Sequence, residues 1–190
     1  MKLQKTVFLL ALLLLFSCQN NKEQRLLEIA KDAKKKETIF LNINRGWNFN
    51  ANPINTASQG LISMWPEWRG FLLELNSKPK STIGAFQKKA KELSKKVLEL
   101  NNNIPVTYNK PEVKSRIAVL ICKINSLNLY INLDEIPDDK VVALIIEINI
   151  ELISLQKQLD EIVRKSTIPR EEVESDLIQM LDTSRAIPTR

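Results

Sequence analysis

Apolar residues recur along the second half of the chain in a pattern that an α-helix turns into a single stripe. Ile83, Phe86, Ala90, Leu93, Val97 and Leu100 are spaced 3, 4, 3, 4, 3, the a/d rhythm of a heptad seam. After a break, Val113, Ile117, Leu120, Ile124, Leu127 and Ile131 repeat it, and Val141, Ile145, Ile148, Leu152, Leu155, Leu159 and Ile162 repeat it again. The breaks are legible too. "NNNIPVTYNK" (101–110) and "DEIPDDK" (134–140) stop one helix and start the next, with Pro111-Glu112 and Pro137-Asp138-Asp139 at the new N-termini. Proline is tolerated in a first helical turn, and acids there meet the positive end of the helix dipole. Connections this short force neighbouring helices to run antiparallel.

The stripe is wider than a two-stranded seam. Val119, Ile121, Leu129, Leu144, Ile146, Ile150 and Ile153 flank it, so the 111–133 and 138–165 helices are expected to be central and to touch several neighbours. A weaker helix, 170–185, follows Pro169 with Val173, Leu177, Met180 and Leu181 on one side. Upstream, "LISMWPEWRGFLLELNSK" places Leu61, Met64, Trp68, Phe71 and Leu75 at helical spacing, and Pro66-Glu67 reads as a start for a helix over about 65–77. A short Lys-rich helix is expected over about 22–37. Between them Ile39, Leu41, Ile43, Trp47 and Phe49 alternate with polar residues in a strand period that has no partner strand, which reads as an extended segment laid against the bundle.

The fold class expected is all-α: an elongated antiparallel helical bundle with heptad-type seams over 61–190, preceded by an irregular, aromatic-containing segment within 18–60. Composition agrees, with four glycines in 190 residues and a helix-forming vocabulary of Leu, Ile, Lys, Glu and Asn after Pro79.

Residues 1–17 have a different character. Lys2 and Lys5 form a positive start, and Val7–Phe16 is a ten-residue apolar run, half of the roughly 20 residues a membrane-spanning helix needs. That is a secretory signal peptide. Ordinary cleavage after Ser17 would put bulky Leu15 at −3, where a small residue is wanted. Leu15-Phe16-Ser17-Cys18 instead resembles the lipobox of Gram-negative bacterial lipoproteins, departing from the commonest pattern in Phe16. The resemblance implies a diacylglycerol on the Cys18 thiol, cleavage before it and a further N-acyl chain on the new amine, with the membrane as partner through that anchor. Gln19, where an inner-membrane retention signal has Asp, implies the outer membrane, periplasmic face. The body is similar to small helical envelope lipoproteins of no assigned activity.

Removal of residues 1–17 takes Lys2 and Lys5 with it and leaves 26 basic against 22 acidic residues. A net +4 with no basic block interleaved with aromatics does not suggest nucleic-acid binding. Histidine is absent, removing the commonest general base and the commonest transition-metal ligand, and two cysteines cannot build a zinc site. No phosphate loop, nucleophile elbow or calcium loop occurs, so no catalytic residue, metal or cofactor is expected beyond the lipid on Cys18, and the chain reads as a non-enzyme. Glu147 and Glu151, one turn apart, read as a solvated face, as do Lys88, Lys89, Lys91, Lys95 and Lys96. Cys122 reads as a buried free thiol.

All three tryptophans fall between 47 and 68. Trp47, Trp65 and Trp68, with Arg69 nearby, are the composition of a surface for an envelope protein partner or of a pocket for a ligand or stress signal. The reading set against it, and preferred, is that the rings plug one end of the bundle as large core residues.

Overall fold

The structure, a computed structural model, describes residues 20–168. The signal peptide, Cys18 and the 170–185 helix expected from sequence lie outside them. The described chain is all-helical: α1 (Asn20–Gly46), α2 (Thr56–Met64), α3 (Pro66–Asn76), α4 (Ile83–Glu99), a 3-10 turn (Val106–Tyr108), α5 (Pro111–Ile131) and α6 (Asp138–Thr167).

The three seams are the core. Every α5 and α6 residue of the two later stripes is buried, as are Phe86, Ala90, Leu93, Val97 and Leu100 of α4, with Ile83 packed against them. α5 lies between α4 and α6. A ladder beside the α5–α6 seam fixes the antiparallel register: Arg116 donates to Ser154 Oγ, Lys123 Nζ meets Glu147 Oε2 at 2.6 Å, and the Lys140 ammonium sits 5.4 Å from the Tyr130 ring centre. Each step of seven residues up α5 is matched by seven back down α6, the heptad arrangement in which flanking polar residues set partner register. The ordinary pKa of Lys123 is raised, first by its hydrogen bond to Glu147 and then by that carboxylate's charge.

The segment around residue 40 departs from the expectation. α1 does not stop near 37 but continues to Gly46, so Ile39, Leu41 and Ile43 are helical rather than strand-like. The alternation was incidental: Ile39, Ile43 and Trp47 are also four apart, and that helical stripe faces the core while Leu41 points outward. Residues 47–55 alone form the extended stretch laid on the bundle. Asn149 of α6 holds it by accepting from Asn50 N–H (2.8 Å) and donating to Asn48 O (2.9 Å), and Gln156 Oε1 accepts from Ile54 N–H (2.9 Å). With Asn42 Nδ2 donating to Asp138 Oδ2 at 2.6 Å, the chain from α1 onward climbs α6 in the same direction.

Close approach of α1 to α6 depends on Gly46. A Cβ built there would lie 2.6 Å from Val142 Cγ2. Gly46→Ala is therefore expected to cost about 1–3 kcal/mol, the range for overpacking. Adding Val142→Ala should recover part of that loss in denaturant titrations, whereas simple additivity of the two costs would show that the clash is not the cause.

A second helix, α2, was not anticipated. Asn55 caps it, its Oδ1 accepting from Ser58 N–H (2.8 Å) and Ser58 Oγ–H (2.7 Å). α3 starts at Pro66 as expected and packs antiparallel on α4, with Trp65 donating to Asn102 O beyond the end of α4 and Glu74 meeting Lys89. Met64, expected on the buried stripe, is exposed because the chain breaks at Trp65 between two helices and the stripe does not run through.

Candidate functional site

The aromatic residues occupy the interior. Trp65 and Trp68 are fully buried and Trp47 is 1% exposed. They form no single plug, because they divide into two clusters. Toward the start of α4, Trp47 packs edge-on against Phe86 (4.9 Å between ring centres) and Phe49 (5.5 Å), with Phe40 also on Phe86. Under α3, Trp65 stacks on Trp68 at 6.0 Å and Trp68 tilts against Phe71. The indole N–H groups of Trp47 and Trp68 meet no acceptor among the described residues. These rings are core, and of the expected surface group only Arg69 is exposed.

The other sequence candidates resolve as follows. Cys122 is exposed, not buried: it lies two positions from both Leu120 and Ile124, roughly opposite the seam. Glu147 is paired with Lys123. Of the lysine face on α4, Lys95 and Lys96 pair with Glu92 and Glu99 along the helix, holding Glu92 below its usual range and Lys96 above its own. Lys89 is the exception, buried with its ammonium 2.6 Å from Glu74. The flanking residues Val119, Leu129, Ile146 and Ile150, expected to meet further helices, are instead exposed on the outer side of α5 and α6.

Among the described residues no group of three His, Cys, Asp or Glu side chains is placed to hold a metal, and no helix is long and apolar enough to cross a membrane. Buried Tyr108 has its phenol pushed up by desolvation, reinforced by the charge of Asp160.

Two concave sites are formed among the described residues. A cleft of about 220 Å³ between α3 and α4 exposes the edge of the Lys89–Glu74 pair and is rimmed by Lys78, Lys88 and Glu92. A larger one, about 310 Å³, opens at the end of the bundle where α1 emerges. Its walls come from Lys36 and Ile39 of α1, Ile83 and Gln87 of α4, and the α5–α6 connection from Asn132 to Asp134 and Ile136. Gln87 is fixed there by donating to Ile131 O at 3.0 Å, and Lys35 pairs with Glu135 beside it at 3.5 Å. Nothing in the sequence pointed to this cleft, because its lining is assembled from three distant stretches.

The fold defines an all-α helical-bundle protein. No family model, curated protein or solved structure matches the chain.

Proposed function

We propose that the protein is a lipid-anchored, non-catalytic component of a Gram-negative envelope, held by acyl chains on Cys18 at the periplasmic face of the outer membrane, where its bundle binds another envelope component. The observation that carries this reading is the order of signals at the N-terminus: a positive start, a ten-residue apolar run, Leu15-Phe16-Ser17-Cys18, then helix from Asn20. Each buried methylene of an acyl chain contributes about 0.8 kcal/mol, so two or more chains give stable attachment without a span. Metabolic labelling with a clickable fatty acid tests it. Cys18→Ser should lose the label and accumulate unprocessed chain, and equal labelling of variant and wild type would refute lipidation at Cys18.

A ligand-binding or stress-sensing role is the second reading. The burial of Trp47, Trp65 and Trp68 places their faces against protein, so a ligand site is better sought at the 310 Å³ cleft than at the indoles.

A further inference from the structure

The first half of α1 projects from the bundle and meets it only near its end, where Lys35 pairs with Glu135 and Lys36 walls the cleft. Residues 22–38 are all exposed, including Leu26, Leu27 and Ile29 at 62–66%, and six basic side chains (Lys22, Arg25, Lys31, Lys34, Lys35, Lys36) face four acids along this stalk. At about 1.5 Å per residue, Asn20 to Lys36 is a rod of roughly 24 Å. It leaves the bundle at the end formed by the start of α4 and the α5–α6 connection, beside the 310 Å³ cleft. A helix that begins two residues after a lipidated cysteine has one end at the bilayer. Its three large apolar side chains suit the headgroup boundary and its lysines suit phosphate, so an anchored stalk lying along the bilayer holds the end of the bundle that carries the cleft beside that surface.

The cleft itself has an amphiphile's division of surface. Ile39, Ile83 and Ile136 give an apolar floor, and Leu133, 41% exposed, forms a lip. The charged groups at its wall are one cation, Lys36, and one anion, Asp134, while Gln87 and Asn132 add neutral polarity. Its volume is at the low end of the roughly 300–1,000 Å³ of small-molecule sites, room for part of one chain rather than for two. A purely anionic head would meet Asp134 and a purely cationic one Lys36. A head carrying both signs satisfies each.

We infer that this cleft takes part of one acyl chain of a zwitterionic phospholipid from the adjoining bilayer, the chain lying on Ile39, Ile83 and Ile136, the phosphate at Lys36 and the ammonium at Asp134. This rests on the lipid-anchored reading for the nearness of the bilayer. The energetics make a specific demand. Moving a chain from bilayer to cleft exchanges one apolar environment for another, so the hydrophobic term that holds a chain out of water contributes almost nothing to the exchange. Selection must then come from the head, and chain length should matter little.

Full-length lipidated protein in phosphatidylglycerol nanodiscs, with trace phosphatidylethanolamine or phosphatidylglycerol carrying a photoactivatable acyl chain, tests this by mapping cross-linked peptides. The phosphatidylethanolamine probe is expected to label peptides containing Ile39, Ile83 and Ile136 several-fold more than the phosphatidylglycerol probe, with little dependence on chain length. Lys36→Glu should reduce that labelling by about threefold to tenfold, the scale of one partly exposed charge contact. Exchanging the pair, Lys36→Asp with Asp134→Lys, should restore most of it. Ile83→Trp, which fills the floor without adding charge, should block labelling with helicity unchanged. Equal labelling by both probes, or labels confined to residues 22–38, would overturn the inference. Failure of the anchor is separable: Cys18→Ser protein then behaves like wild type in fatty-acid labelling, while a soluble single-chain phosphatidylethanolamine probe still marks the cleft if the cleft is right.

Discussion

Trp68→Ala is expected to lower stability by about 3–5 kcal/mol, the range for truncating a fully buried large aromatic. The ring is 0% exposed and packed between Trp65 and Phe71, so its removal takes away the centre of the stack and leaves a cavity bounded by α3 and its neighbours. Trp68→Phe should cost far less. The Trp68 N–H has no acceptor among the described residues, so no hydrogen bond is lost and one buried donor is removed. Trp65 differs, because its N–H donates to Asn102 O at 3.3 Å and ties α3 to the turn after α4. Urea titration with far-ultraviolet circular dichroism reads both Trp68 variants. A surface role for the indoles predicts the opposite result, changes within about 0.5 kcal/mol accompanied by loss of a partner. An unchanged midpoint for Trp68→Ala would therefore return the aromatic residues to the list of binding candidates.

That contrast shows what was legible in the sequence. The seams of α4, α5 and α6 were readable residue by residue, because a helix buried on one face must repeat near 3.6 and nothing in those stretches competes with that period. Trp68 was readable as aromatic but not as inside or outside, since composition alone suits both a core and a contact surface. The end of α1 from Thr38 is masked in the sequence because three apolar residues two apart imitate a strand, and the helical stripe through Ile39, Ile43 and Trp47 is short. α2 carries Gly60 in its middle and little apolar periodicity, so its clearest signal was Asn55 three residues before Ser58. The exposure of Cys122 is legible in the sequence after all, since its distance of two from each neighbouring seam residue puts it on the outer face and not in the buried position its apolar neighbours suggest. The cleft was beyond reach of any local pattern, since Ile39, Ile83 and Ile136 meet only after α1, α4 and the α5–α6 connection have packed.

Lys89 exposes the remaining limit of heptad reasoning and supports the second large effect. On a helix with neighbours on the seam side only, Lys89 belongs to the solvated face with Lys88. α3 packs on that flank of α4 and buries it, leaving the side chains of Lys89 and Glu74 9% and 29% exposed with their charges 2.6 Å apart. Desolvating two charges costs about as much as their attraction returns, but removing one partner strands the other. The expected result is asymmetric. Glu74→Ala leaves a buried ammonium unpaired and should cost about 2–4 kcal/mol, below the worst cases because the adjoining 220 Å³ cleft admits water to the edge of the pair. Lys89→Met keeps the length and apolar volume of the side chain and leaves Glu74 with enough solvent to hydrate, so stability should change by less than about 1 kcal/mol. Lys89→Met with Glu74→Leu should be no less stable than wild type. The same denaturant titration measures all three, and equal losses for the two single variants would show that the pair is a net stabiliser rather than the means by which α3 is matched to α4.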